Sequence, residues 1–314
     1  MGKELAIGID IGGTAIKYGL CTEDGEIIAT DQVKTYADAP PEKILAQIEE
    51  LCQRALKTAG NDKESVAAIG LGTPGSVDVK RGYLMGSTPN FKHWRDVAIG
   101  EYLRERFQLP VVVDNDANMM AYGEYTFGAG KGAENVVCLT LGTGIGGGII
   151  INGQLYRGSA YAGAEIGHMT IDYKGKSCPC GGTGCWERYA SAAAIVREYN
   201  ELNPKNPLTS TLTLMQRFEN EEEVAQQVVN NAIIYLGSGI ASIINIFNPE
   251  RIIIGGGLGQ AGGWFIQAIE KEAQQRAMKP SQKGVKVLAA KLGNKAGLLG
   301  AAALALSQKV AMEL

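Results

Sequence analysis

A buried strand that runs into a glycine bend and returns as a second strand occurs twice in this chain, and that repeat limits the folds open to it more than any other feature. The first copy is LAIGIDIGGTAIKYGL, with the Asp24-Gly25 pair beyond it; the second is ENVVCLTLGTGIGGGIIINGQLYRG, with Asn152-Gly153 at the corresponding turn. Asp-Gly and Asn-Gly pairs tolerate the positive φ angles of a two-residue hairpin turn, so the first copy continues through EIIATDQVKT as an antiparallel meander. Two such units predict two similarly built domains facing one another across a cleft. The first bend exposes main-chain N–H groups: Gly12 and Gly13 let a phosphate approach the backbone, Thr14 adds a hydroxyl, and Asp10 can hold a hydrated magnesium ion. The bland reading of a GGT after a strand is a tight turn, and this is not a Walker loop, because no GKS or GKT follows.

A second stretch is constrained by its chemistry. Residues 164–187, AEIGHMTIDYKGKSCPCGGTGCWE, place Glu165, His168, Cys178, Cys180, Cys185 and Glu187 in one short span. One imidazole nitrogen and three thiolates make a closed tetrahedral set for a structural zinc ion, and Gly181, Gly182 and Gly184 allow the backbone to wrap the sulfurs toward one point. The alternative is a set of idle reduced thiols in a surface loop, an uncommon place for cysteine. The remaining cysteines, Cys21, Cys52 and Cys138, lie in apolar or helical contexts, which suits a reducing compartment and a cytoplasmic protein. With 30 Lys and Arg against 33 Asp and Glu, a net charge of -3 and no basic run, no nucleic-acid surface is expected. No stretch reads as the roughly 20 apolar residues of a membrane span, so no membrane partner is expected either.

Between these features the chain alternates strands and helices. Pro40 and Pro41 open a helix through about Lys57, and VAAIGLGTPGS is a strand running into a turn at Thr73 to Gly75. Asn90 sits in a loop, and a helix from about Asp96 to Phe107 leads to the strand LPVVVDND. Asn115 and Asp116 therefore stand at a strand-to-helix junction, where α/β folds present ligand-binding groups. Local sequence taken alone favours a helix cap for Asp116. Beyond the cysteine loop, Ser191 to Asn200 reads as a helix and NPKNPLT as a loop without chemistry. A long core helix starts at about Glu221, RIIIGGGLG is a buried strand whose glycine-rich end opens a helix at about Gly263, and a last helix runs from about Ala296 to Val310.

DIGGT, LGTGIGGGIIINGQLYRG, EIGHMTID and CPCGGTGCWE, in this order and spacing, resemble the ROK family of bacterial sugar kinases and sugar-responsive repressors, and the resemblance covers essentially the whole chain. It implies a two-domain α/β fold of the actin, hexokinase and RNase H-like ATPase type with a cleft between domains. The small domain would be 1–115 plus about 297–314, and 116–296 the large domain carrying the zinc loop. It further implies an ATP-dependent hexose kinase acting on the 6-hydroxyl of glucose, with Asp116 as the general base. Fructose, mannose or N-acetylmannosamine are the alternative sugars. A sugar-sensing repressor is the reading from another class; the start of the DIGGT bend at Asp10 speaks against a preceding DNA-binding segment. Gly75, Asn90, Asn115, Asp116, Glu165, His168 and Glu187 would bind sugar. Asp10, Gly12, Gly13, Thr14, Lys17, Gly142, Thr143, Gly144, Gly256 and Gly257 would bind ATP with Mg2+, although Lys17 taken alone reads as a solvated strand lysine. His168, Cys178, Cys180 and Cys185 would hold Zn2+. Family members often form homodimers. Because the glycine bends lie elsewhere in the chain, loss of zinc is expected to weaken sugar binding and spare ATP.

Overall fold

The computed structural model describes residues 3–60, 65–86 and 91–312. They form two compact units. The first is Met1–Gly132 with Leu155–Gly163 and Asn294–Leu314; the second is Ala133–Gln154 with Ala164–Gly293.

In the first unit, β1 (Leu5–Ile11), β2 (Ala15–Thr22) and β3 (Ile27–Lys34) make the expected meander, and β4 (Val66–Thr73) and β7 (Val111–Asn115) extend the sheet on the other side of β1, in the order β3-β2-β1-β4-β7. β1 pairs with β2 antiparallel and with β4 parallel, and β4 pairs with β7 parallel. A small hairpin, β5 (Val77–Asp78) and β6 (Tyr83–Leu84), follows β4. Helix α1 (Pro41–Ala59) starts on its prolines, whose fixed φ suits a first turn, and buries Ile44, Ile48 and Leu51 against the sheet core. Helix α2 (Ile99–Phe107) begins three residues later than the sequence suggests, because Asp96 takes a positive φ of 55°.

The opposite face of the sheet is covered by α3 (Asp116–Thr126) and α9 (Ala296–Met312). Strand glycines make this possible: a Cβ on Gly8 or Gly70 would run into the α9 carbonyls of Leu298 and Ala301. Gly123 and Gly300 give α3 and α9 the same close approach to each other. That packing carries α3 into the first unit, so the division expected at 115/116 falls at Gly132 instead.

The second unit repeats the topology. β8 (Val136–Leu141) and β9 (Ile145–Ile151) form the antiparallel pair, β10 (Gln154–Leu155) lies outside β9, and β11 (Arg251–Gly256) and β12 (Lys286–Ala289) continue parallel to β8, giving β10-β9-β8-β11-β12. Helices α4 (Glu187–Ala190), α5 (Ala192–Leu202), α6 (Thr211–Glu219), α7 (Glu223–Phe247) and α8 (Gly263–Arg276) pack around it. The 25-residue α7 carries no charged side chain after Glu223 and is long and apolar enough to match a membrane span by composition, which the sequence reading did not anticipate. It is the core helix of this unit: Val228, Ala232, Leu236, Ile240 and Ile244 are fully buried in the same cluster as strands β8 and β11.

Candidate active site and metal centre

The cysteine loop folds as a tight double turn held by bridges between Thr170 and Cys185 and between Ser177 and Thr183. His168 ends a single 3-10 turn (Ile166–His168) that lies flush on the start of β9, where a Cβ on Gly167 would strike the Ile145 carbonyl. The ligating atoms of His168, Cys178, Cys180 and Cys185 all fall within 4.8 Å of one another. Cys178 Sγ is 3.7 Å from His168 Nδ1, and the Cys180 and Cys185 sulfurs are 3.6 Å apart. The edge of a tetrahedron around zinc with sulfur at about 2.3 Å is about 3.8 Å, so the donor set fits that ion in both chemistry and spacing. Gly181 and Gly184 take positive φ as expected, at 91° and 71°. Gly182 has another role: its N–H donates to Cys180 Sγ at 3.4 Å and, together with the neighbouring Cys178 and Cys185 thiols, lowers the pKa of Cys180 to about 7. Burial pushes Cys178 up to about 12 and raises Cys185, so a cation is what would draw all three into the thiolate form.

Glu187 ties this cluster to the second glycine bend. It is the first residue of α4; its Oε1 accepts from Cys178 Sγ at 3.4 Å and lies 3.8 Å from His168 Nδ1, while its other oxygen occupies the space that a side chain on Gly144 would need. The cysteine cluster and the bend, remote in sequence, thus share one carboxylate. Glu165, by contrast, is exposed, and its carbonyl accepts from His168 N–H at 3.0 Å.

The bend itself is closed by Gly142 N–H donating to Gly144 O at 3.0 Å. Beside Gly142 and Thr143 lies a cavity of about 630 Å³, walled by Ala193, Val196, Arg197 and Asn200 of α5 and by Thr209 to Thr211. Ser210 and Thr211 also border a second cavity of about 470 Å³, which Met215 and Gln216 share with Gly257 and Leu258. Gly256, at φ 82°, sits where a side chain would meet the Leu141 carbonyl. Helix α6 and Thr209 were missed in the sequence, where 203–209 reads as a chemistry-free loop. The available signal was Ser210, which caps α6 by accepting from Thr213 N–H at 3.2 Å.

In the first unit, the bend is anchored by Gly12 N–H to Ala15 O at 3.0 Å and by the Thr35 hydroxyl to Gly12 O at 2.7 Å. Asp10 and Lys17 are register partners on β1 and β2, so the lysine read as solvated stands directly across from the acid. Burial raises the Asp10 carboxyl above the usual range, with Lys17 pulling the other way. Gly297, in the first turn of α9, leaves room for that carboxyl group, whose Cγ lies 2.8 Å from where a Cβ would stand. Thr14 and Gly13 are exposed at the tip.

The junction after β7 presents Asn115 and Asp116 in succession. The cap is Asn115, whose Oδ1 accepts from Ala117 and Asn118 N–H while its Nδ2 donates to the Gly75 carbonyl at 3.1 Å. Asp116 opens the helix and accepts from Ala117 N–H at 2.9 Å. Asn115 and Gly75, both expected to meet substrate, are thus bonded to each other. Asn90 lies outside the described residues.

A model of the ROK family matches residues 6–308. The chain is 38% identical to a glucokinase of Streptomyces coelicolor, over 96% of this chain and 97% of that protein. It is 31% identical to the xylose repressor of Bacillus subtilis, over 94% of this chain and 75% of the repressor. A crystal structure of a ROK family glucokinase from Streptomyces griseus in complex with glucose and AMPPNP superposes with a TM-score of 0.80 at 37% identity, covering 96% of this chain and 99% of that one. With the paired bends, the cysteine cluster and this likeness running along nearly its full length, the chain belongs to the ROK family.

Proposed function

We propose that this protein is an ATP-dependent hexose kinase that phosphorylates the 6-hydroxyl of glucose. The observation that carries the reading is the full-length likeness to a glucokinase whose structure holds glucose and AMPPNP. The geometry of each unit supports roles for its residues. Asp116 is the general base that takes the proton of the attacking hydroxyl, a role supported by its place at the head of α3 next to Asn115, which fills the cap position. Phosphoryl transfer passes through a loose transition state, for which positioning and charge neutralisation suffice and an acid of ordinary basicity is an adequate base. The N–H groups of Gly13, Thr143 and Gly144 bind phosphate oxygens, with Gly12 and Gly142 holding the two bends in shape through their own main-chain bonds, Thr14 adding its hydroxyl and Lys17 its charge. Asp10 would hold a hydrated Mg2+, which neutralises phosphate charge. The cavity beside Thr143, Asn200 and Thr211 and its neighbour at Gly257, the residue after Gly256, take the nucleoside. His168 Nδ1 faces the sulfurs, so Nε2 is the nitrogen left for a sugar hydroxyl; Glu165 and Glu187 accept from others, and Asn90 completes the set. His168, Cys178, Cys180 and Cys185 would hold Zn2+, which fixes the orientation and tautomer of that ring. By the same family resemblance the protein is read as a homodimer, which light scattering checks. A coupled assay over glucose, mannose, fructose and N-acetylmannosamine, compared by kcat/KM, tests the activity: no ATP-dependent turnover with any of them would refute the kinase, and a preference for another sugar would refute glucose.

A further inference from the structure

Asp114, two residues before the proposed base, is a carboxylate with a side chain only 3% exposed. At that depth an ionised acid needs a cation and a full set of donors. Its Oδ1 accepts from Asn115 N–H at 2.7 Å and from Asn118 Nδ2 at 2.9 Å, and its Oδ2 accepts from Arg157 Nε at 2.6 Å. Asn115 and Asn118 flank Asp116 in the first turn of α3, so the direction of that turn hangs on a carboxylate whose countercharge is Arg157.

Arg157 is held twice. Its carbonyl accepts from Gly163 N–H at 2.9 Å, which closes Arg157–Gly163 into a loop turned by positive φ at Gly158 and Tyr161. This segment belongs by its contacts to the first unit although the chain enters it from β10 and leaves it for Glu165 and His168 in the second. The side chain of Arg157 is thus fastened to the base's junction, and its main chain to the foot of the loop that leads into the sugar residues. The pair is not arranged for stability alone: Arg157 Nη2 and Asn118 Oδ1 are both buried without a hydrogen-bond partner, and each such orphan costs free energy.

We propose that Arg157 is a positioning residue for phosphoryl transfer, acting through Asp114 to set the direction of Asp116. The inference rests on the reading of Asp116 as general base. A displacement of about 1 Å at a reacting group costs on the order of 100-fold in rate, so Arg157→Gln is expected to lower kcat about 10- to 100-fold, measured per folded, zinc-loaded protein, with the KM for ATP near that of the parent. Arg157→Lys keeps the charge without the planar fork and is expected to recover part of the loss. In the double variant Asp114→Asn/Arg157→Gln, the loss is expected to equal that of Asp114→Asn alone, because one residue acts through the other. A folded Arg157→Gln protein with parental kcat overturns the proposal, as do losses that multiply in the double variant. If Arg157→Gln does not fold, Arg157→Lys carries the test: lowered kcat at unchanged Tm supports the role, and unchanged kcat overturns it. Full activity of Asp116→Asn, measured in parallel, would instead remove the base itself and this inference with it.

Discussion

The two units share one sheet order and one strand–bend–strand opening, yet their bends are built differently. In the first, the residue before the last of the outgoing strand is Asp10, half-buried, with Lys17 across the ladder, and a side chain added at Gly13 would touch nothing. In the second, the corresponding residue is Thr140, and the acid comes from outside the repeat: Glu187 reaches in from the cysteine cluster and fills the space beside Gly144. One bend carries its charge on its own strands and is open; the other borrows its charge and is braced. A repeated scaffold thus fixes where a bend sits but leaves free what stabilises it.

The largest expected effect sits in the first unit. Asp116→Asn preserves shape but removes a proton acceptor, and kcat is expected to fall by roughly 10² to 10⁴ with sugar binding retained; near-parental turnover would strip the first unit of its catalytic share. Next comes the brace. Chelating zinc, or Cys180→Ala, is expected to raise the KM for sugar about 10- to 100-fold, the usual scale for losing the support of a metal-bound ring. Through Glu187 it is expected to weaken nucleotide binding as well, to a smaller degree, and separate titrations of sugar and nucleotide alongside metal content measure both. An unchanged nucleotide affinity would mean that Glu187 does not connect cluster and bend.

A paired substitution sharpens the contrast. Gly144→Ala collides with Glu187 and should raise both KM values, whereas Gly13→Ala meets no protein atom and should affect ATP alone. Equal sugar effects in the two variants would erase the distinction between braced and open. The smallest effect concerns Asp10. Because burial raises its carboxyl, the ionised form opposes folding, and stability falls as pH rises from the unfolded value through the folded one. Asp10→Asn is therefore expected to raise Tm slightly at neutral pH while weakening the magnesium dependence of the reaction, and a lowered Tm would show that Lys17 outweighs the burial.

What was legible in the sequence follows from how local each signal is. Both meanders could be read because glycine bends and Asp-Gly or Asn-Gly turns are decided by neighbouring residues, and the clustering of His168 with three cysteines because their spacing is short. Helix α6 was lost because it is brief and follows a proline-broken loop, with one serine as its only marker. Asn115 was placed at the right junction, but its bond to Gly75 could not be read, since that glycine lies on another strand's turn. The Asp114–Arg157 pair was invisible for the same reason on a larger scale: nothing near either residue says that a buried acid will find its cation 43 positions away.

The glycines of β1 and β4 that admit α9 have a consequence for how the chain comes off the ribosome. Gly8 and Gly70 present bare backbone to a helix that begins at Ala296, so the sheet whose first strand is made earliest waits for nearly the whole chain before that face is covered, and Lys309 then pairs with Glu4 at 2.8 Å across the length of the sequence. The second unit has all of its strands and helices by Gly293. The order of synthesis and the order of completion are therefore reversed: the unit begun first is finished last, and until then its apolar strands are the part of the nascent chain most in need of protection from wrong partners.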